Sequence, residues 1–336
     1  MSDGMGNIHR YTVDVAGREI LLETGRFAEQ AGGAVTARMG DTMVFAVATM
    51  SKHAREGIDF FPLSVDYEEK LYAAGRIPGS YFRREGRPSE QAILTSRVID
   101  RTLRPLFPDG MRNEVQVILT AFSHDQENQI DMLGIIAASA ALMISDIPWN
   151  GPVAGVRIGL IDGELVVNPV IPDMENSTLD LRVSTTGDAI NMVECGATEV
   201  DEATMLRALS LAQQVAQPII HLQRQMQAEV GKPKNEYIKA AHNEALATQV
   251  GDMTRSAVRR VIEETTDRAG RNEALDEVRE QLLAEFEARN AADPEEVTEF
   301  KELRGYFQDI IAEEVRRRIV DEGVRPDGRG TRDIRP

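Results

Sequence analysis

Arginine side chains are concentrated in one stretch of a chain that is otherwise acidic. The formal net charge of the 336 residues is -17, yet the segment from Gly75 to Pro105 contains seven arginines, no lysine and three acidic residues. The glycines and prolines in its first half favour a loop over a helix or a strand. Positive charge focused in this way on an acidic protein predicts an anion-binding site.

Two aromatic residues and two arginines are adjacent in this loop, as Tyr81, Phe82, Arg83 and Arg84. Aromatic rings stack on bases and guanidinium groups bind phosphates, so this pairing suits single-stranded nucleic acid, where stacking contributes roughly 1–3 kcal/mol per base. The same residue types also form small satellite cores and protein interfaces, and residue chemistry alone leaves both alternatives open.

A helix is expected after the loop, with Ser89 as its N-cap and Pro105 just beyond its end. Arg97, Arg101 and Arg104 then share one helix face, because residues three and four positions apart are neighbours on a helix. Guanidinium groups in such a row usually bind anions. The sequence leaves open whether these anions are carboxylates of the same chain or phosphates from outside.

Length and composition restrict the class of protein. A chain of 336 residues predicts two or three domains. Its one cysteine, Cys195, excludes a disulfide framework, fits a reducing compartment and is predicted to be buried, because it lies in an apolar run. We find no secretory-type leader pattern and no segment of membrane-spanning length, so we expect a cytoplasmic protein of bacterial type without a membrane partner.

Two patterns of secondary structure follow one another along the chain. Alternating apolar residues with turn signals predict antiparallel hairpins up to residue 231, around an apolar helix at 133–144, which is an α+β fold. Residues 235–320 show repeated helix signals instead. Their apolar stripe is expected to form a core, with a groove for a protein partner as the alternative. Residues 321–336 are typical of the opening of another domain.

Candidate metal ligands and catalytic residues are few. Asp173 and Asp180 lie seven positions apart with Glu175 nearby, but no histidine or glycine turn frames them, which favours a solvated loop. Of the five histidines, His124 stands out because it is adjacent to Asp125.

Three motifs, GRIPGSYFRREGRPSE, RVIDRTLRPLFPDG and NEVQVI, resemble the polynucleotide phosphorylase family of bacterial phosphate-dependent 3′-to-5′ exoribonucleases. The resemblance extends from about His9 to the end of the chain. It implies a ribonuclease-PH-like core at 9–231, an all-helical linker domain at 235–320 and, from the RPDGR signature, the truncated opening of a second such core at 321–336. The family's usual loop tip is Phe-Phe-Arg-Arg; Tyr81 at the first position can still stack.

The resemblance implies that this portion binds and guides single-stranded RNA inside a homotrimer. The RNA-binding residues that it implies are Tyr81, Phe82, Arg83, Arg84, Arg87, Arg97, Arg101 and Arg104. The whole enzyme is expected to convert RNA and inorganic phosphate to nucleoside diphosphates in mRNA degradation, with other proteins of an RNA-degradation complex as partners.

Catalysis and its magnesium ion are implied for the second core, so no catalytic or metal-binding residue is expected in this segment. In the first core, Asp125 to Asp131 precede the buried helix where catalytic relatives carry a loop that cradles phosphate. Carboxylates there would repel phosphate, so we expect this core to be silent. An isolated segment of this kind is alternatively a non-catalytic RNA-binding or ring-scaffold protein.

Overall fold

The computed structural model describes residues 7–54, 58, 60–77, 79, 86–237, 243–292 and 297–335. The chain divides into two compact units between Ala240 and Ala241. Each unit has its own cluster of buried apolar side chains, so each is described by itself.

Six strands form the larger sheet of the first unit. They are β1 (His9–Val15), β2 (Arg18–Thr24), β3 (Gly33–Met39), β4 (Thr42–Ala54), β5 (Leu63–Glu68) and β6 (Asn113–Ser123), in the spatial order β1-β2-β3-β4-β6-β5. The two predicted hairpins, β1 with β2 and β3 with β4, are confirmed. Val44, Ala46 and Ala48 of β4 are fully buried on one face, as expected for a strand in the middle of a sheet.

The pairing of β5 differs from the antiparallel prediction, because β5 runs parallel to β6. Parallel neighbours need a long crossover rather than a hairpin. The arginine-rich loop and helix α1 (Glu90–Leu103) form that crossover. The α1 boundaries agree with the prediction, and the Ser89 side chain accepts a hydrogen bond from the Ala92 backbone N–H at 3.0 Å.

A second sheet has four strands, and one helix is buried between the two sheets. The strands are β7 (Ala154–Ile161), β8 (Glu164–Val167), β9 (Leu179–Thr185) and β10 (Ile190–Ala197), in the order β10-β9-β7-β8. Helix α2 (Ile130–Ile144) packs against β3, β4 and β7, and helix α3 (Glu202–Val230) packs against α2 and β1. Helix α2 lies very close to β3, since a Cβ atom at Gly33 would lie 2.1 Å from the Ala141 carbonyl oxygen.

Cys195 is exposed, and the prediction of a buried thiol is wrong. It lies on β10, the edge strand of the four-stranded sheet. Its neighbour Val193 is also 41% exposed, so an apolar run at a sheet edge does not guarantee burial.

The described residues of the second unit contain the α-helices α4 (Glu244–Glu264), α5 (Arg268–Ala292) and α6 (Phe300–Arg317), with a π-helical turn at Arg318–Glu322. The predicted apolar stripe is core in its central part, where Leu303, Phe307 and Ile310 of α6 are at most 5% exposed. None of the helices in the described residues is both long and apolar enough for a membrane span.

One buried carboxylate joins α4 to α6. Glu314 is 2% exposed and binds Arg259 and Arg317, at 2.8 and 2.9 Å, and Arg255 at 3.1 Å. Hydrogen bonds from Arg259, Arg317 and Arg255 outweigh the cost of burial and lower the pKa of Glu314 to about 2. Breaking such a buried pair leaves an uncompensated charge, so the cluster fixes the packing of these two helices.

The segment with the RPDGR signature packs within this second unit. Arg271 of α5 donates a hydrogen bond to the Pro326 carbonyl at 3.0 Å, and Val324 forms an isolated antiparallel bridge with Gly330. The signature therefore folds against the helices that precede it.

Candidate functional site

The tip of the arginine-rich loop, with Tyr81, Phe82, Arg83 and Arg84, lies outside the described residues. The residues at its base are described and surround a pocket of about 770 Å³. Residues on both sides of the tip contribute to the lining, with Ile77 before it and Gly86 after it. The loop therefore begins and ends at the rim of this pocket.

Local backbone geometry brings the two ends of the loop together. After β5, a short 3-10 turn at Leu71–Ala74 ends at Gly75, whose φ of 67° is readily adopted by glycine. At the other end, Ser89 caps α1 and also donates a hydrogen bond to Glu69 at 2.7 Å. That bond joins the start of α1 to the residue that follows β5.

Among the described residues that line the pocket, the cationic side chains without a carboxylate partner are arginines. The Lys70 ammonium group binds Glu68 at 2.7 Å. Arg76 and Arg87 line the same pocket, are exposed, and form no ion pair with any residue that the structure describes. His124 also lines the pocket, and its Nε2 atom forms a hydrogen bond with the Asn128 carbonyl oxygen at 3.3 Å.

The three arginines of α1 have different surroundings. Arg97 is exposed and has no ion-pair partner among the described residues. Arg101 binds Glu194 at 3.1 Å while its side chain remains 52% exposed. Arg104 binds both carboxylate oxygens of Asp100, at 2.6 and 2.9 Å, and also two backbone carbonyls before and in β5. The structure therefore leaves Arg97 the most available of the three for an outside anion.

The loop ahead of α2 is closed by its own carboxylate. Asp125 accepts five hydrogen bonds, from the backbone N–H groups of Asp41, Glu127 and Asn128, from the Asn128 amide and from the Thr42 hydroxyl. Gly40 packs directly on this loop with φ of 58°, and a Cβ atom there would lie 2.7 Å from Asn128 Nδ2. Successive backbone N–H groups in such a turn are an anion-binding arrangement, and here the anion is a side chain of the same chain.

Asp125 is ionised in this environment. Partial burial opposes ionisation, but hydrogen bonds from the Asn128 and Glu127 backbone, the Thr42 hydroxyl and the Asn128 amide outweigh it and hold the pKa of Asp125 well below its usual range. A phosphate entering this loop would have to displace a charged carboxylate. That this core is catalytically silent stays a prediction.

A network of arginines and carboxylates lies beside α2, and sequence reasoning missed it. Arg157 of β7, Arg182 of β9 and Glu194 of β10 are neighbours across three strands in register. Arg157 binds both oxygens of Asp180, at 2.6 and 2.7 Å. The available signal was a single arginine in the otherwise apolar pattern of β7 and an aspartate and an arginine among the apolar residues of β9, which indicates charges that are paired with each other.

The ion pairs of Asp180 in this network argue against a metal site there. Arg157 and Arg182 both contact Asp180, and the Asp131 carboxylate lies 3.3 Å from Arg182. Carboxylates neutralised by arginine are unsuited to a divalent cation. No group of three or more potential metal ligands is present among the described residues. Asp173 lies apart, in a 3-10 turn at Pro172–Asn176.

Models of known protein families match three segments of the chain. The model of the 3′ exoribonuclease family, domain 1, matches residues 16–148, and that of domain 2 matches residues 151–215. A third model, polyribonucleotide nucleotidyltransferase, RNA binding domain, matches residues 245–330. The chain belongs to the polyribonucleotide nucleotidyltransferase family.

Relatives with that name match almost the whole chain. Polyribonucleotide nucleotidyltransferases of Roseiflexus castenholzii and Chloroflexus aurantiacus are each 49% identical over 98% of this chain, and that of Geobacillus kaustophilus is 44% identical over 97%. The aligned parts make up 43–44% of those relatives. The chain therefore spans less than half the length of the curated relatives that it matches.

Removing the Asp125 carboxylate is expected to destabilise the first unit. Asp125→Ala leaves five donors without their acceptor, which should cost about 2 kcal/mol of unfolding free energy at pH 7. Urea unfolding followed by the fluorescence of Trp149, the single tryptophan, measures this, with exposed Asp109→Ala as the control.

The effect of Asp125→Ala should depend on pH with a definite sign. Because the pKa of Asp125 is lowered in the folded state, its stabilisation is complete above the ordinary carboxyl pKa of 3.8 and is lost as the pH falls further. The difference from wild type should therefore stay constant from pH 7 down to about pH 5 and shrink as the pH falls towards about 3. A difference that stays constant down to about pH 3 contradicts an ionised Asp125 in the loop.

Proposed function

We propose that this chain is the RNA-holding portion of a phosphate-dependent 3′-to-5′ exoribonuclease that acts in mRNA degradation in the cytoplasm. The observation that carries the proposal is the match of 98% of the chain to relatives named polyribonucleotide nucleotidyltransferase. The pocket at the base of the arginine-rich loop is lined by Arg76 and Arg87, which form no ion pair with a described residue, and it supports a role in binding a polyanion.

The proposed reaction is phosphorolysis of the RNA 3′ end. An oxygen of inorganic phosphate attacks the phosphorus of the last phosphodiester, and the bond from phosphorus to the 3′ oxygen of the preceding nucleotide breaks. The products are a nucleoside diphosphate and an RNA shortened by one nucleotide. Charge spreads over the oxygens around phosphorus in the transition state and needs cationic stabilisation.

The loop and α1 hold the unpaired strand in this proposal. Tyr81 and Phe82 stack on bases, and Arg83 and Arg84 bind the backbone phosphates beside them. The arginines that continue the path are Arg87, Arg97, Arg101 and Arg104. Arg104 contributes least, because its donors already bind Asp100 and two backbone carbonyls.

Magnesium and the chemical step belong to a second core in this proposal. The first core is suited neither to the phosphate of the reaction nor to magnesium. Asp125 fills its anion loop, and arginines neutralise Asp131 and Asp180. The role left to this chain is to bind the RNA and orient its 3′ end.

Assembly into a homotrimer is supported by an aromatic cluster on the large sheet. On the face opposite α2, Phe45 and Phe122 stack with ring centroids 5.2 Å apart, and Phe27, which is 43% exposed, packs against both. Val47 and Ile118 on the same face are also only partly buried. We propose that another copy covers this face.

Mass in solution tests the assembly. Sedimentation equilibrium should give three times 37.2 kDa for the wild-type chain. Phe27→Asp should shift the mass towards one chain, because it places a charge in the apolar contact. A wild-type monomer, or an unchanged trimer in Phe27→Asp, contradicts this role of the cluster.

Loss of the loop aromatics should weaken RNA binding. Replacing both Tyr81 and Phe82 by Ala is expected to cost roughly 1–3 kcal/mol per stacked base, measured by fluorescence anisotropy with a single-stranded oligoadenylate. Replacing Arg83 and Arg84 by Gln should lower the slope of log affinity against log salt by about 0.7 for each phosphate that is no longer bound. Phe60→Ala, at an aromatic that is 59% exposed outside the loop, is the control. Unchanged binding in the loop variants would assign the loop a structural role.

Release of nucleoside diphosphate distinguishes a catalytic role of this chain from a non-catalytic one. The purified 336-residue chain, given RNA and phosphate, should bind RNA and release no diphosphate, because its first core is closed to phosphate. The closed loop also favours the second candidate function, a non-catalytic RNA-binding or ring-scaffold protein, for this segment alone. Diphosphate release by this chain would overturn the assignment of catalysis to a second core.

A further inference from the structure

The Glu194 carboxylate lies between two guanidinium groups on the surface of the first unit. Its Oε2 atom is 3.1 Å from Nη1 of Arg101 on α1, and its Oε1 atom is 3.3 Å from Nη1 of Arg182 on β9. Each oxygen of one monovalent anion thus binds a different arginine. The two free oxygens of a phosphodiester present the same charge and the same two acceptors.

The two arginines are held to different degrees. Arg182 is 20% exposed and is anchored by Asp131 at 3.3 Å and Asp180 at 3.4 Å, so it stays in place without Glu194. Arg101 and Glu194 are 52% and 40% exposed, and an ion pair so open to water contributes little stability. The carboxylate is therefore the part of this bridge that an outside anion can replace at low cost.

The bridge continues a row of cationic side chains. Arg97 lies one helical turn before Arg101 on α1, is exposed, and has no ion pair within the described part of the chain. Exposed Ile93 and Leu94 precede it on the same helix, each 49% exposed, and offer apolar surface beside the charges. A strand that follows α1 would meet Arg97 and then the bridged pair.

We propose that Arg101 and Arg182 form a subsite for one backbone phosphate of single-stranded RNA, and that Glu194 occupies this subsite until the strand replaces it. The inference rests on the proposed function, because it assumes that RNA passes along α1. Glu194 is then an internal competitor that lowers RNA affinity.

The test is RNA affinity of Glu194→Gln in the whole 336-residue chain. Removing the competing charge should raise the affinity for a single-stranded oligoadenylate about three- to tenfold at low salt. The salt dependence should stay the same, because in both proteins the bound strand places one phosphate between the two arginines. Asp188→Asn is the matched control, since it makes the same charge change at an exposed position between β9 and β10 and should leave both values unchanged.

Arg101→Gln completes the experiment. It should weaken RNA binding, and adding Glu194→Gln to it should restore none of the affinity, because the pair of guanidinium groups is no longer present. Equal increases in Glu194→Gln and Asp188→Asn, or no increase in either, would overturn the subsite. Trp149 fluorescence melting verifies that each variant is folded.

Binding of inorganic phosphate alone is measured as well, because phosphate shares the chemistry of the RNA backbone. Tighter phosphate binding by Glu194→Gln, without tighter RNA binding, would assign the pair to free phosphate and overturn the inference. Loss of RNA binding in the Tyr81 and Phe82 variants with no response to Glu194→Gln removes only the subsite. Absence of RNA binding by the wild-type chain removes the proposed function as well.

Discussion

The hydrogen bonds that end on the Asp125 carboxylate are the interaction on which the account of this protein depends. Five donors from two segments, the turn between β3 and β4 and the loop before α2, meet at one ionised side chain. They fix the start of the buried helix and occupy backbone N–H groups that could otherwise bind an anion. One carboxylate therefore stabilises the fold and, in the proposed function, keeps phosphate out of this loop.

Internal carboxylates have comparable roles elsewhere in the chain. Asp180 holds Arg157, Glu194 bridges Arg101 and Arg182, and Glu314 gathers three arginines in the helical unit. Carboxylates hold several arginines of this acidic chain in this way. Arg76, Arg87 and Arg97 form no ion pair with a described residue and lie in the arginine-rich loop or α1, although exposed Arg224 and Arg260 elsewhere in the chain form none either.

Sequence reasoning predicted those features that local signals specify. Ser89 and Pro105 placed the ends of α1, and the apolar run at 133–144 identified the helix buried between the sheets. The loop chemistry and its motifs pointed to the family that the comparisons then showed. It failed where long-range geometry decides the outcome. The direction of β5 relative to β6, the exposure of Cys195 on an edge strand and the meeting of Arg157 with Arg182 all depend on strand register, which no local pattern specifies.

A crystal structure of this chain soaked in inorganic phosphate is the most direct test of the central claim, that the first core is closed to phosphate by its own side chain. The account predicts that Asp125 keeps its hydrogen bonds with the Glu127 and Asn128 backbone N–H groups and that no phosphate binds ahead of α2. Phosphate bound to those two N–H groups, with the Asp125 carboxylate turned away, would contradict it.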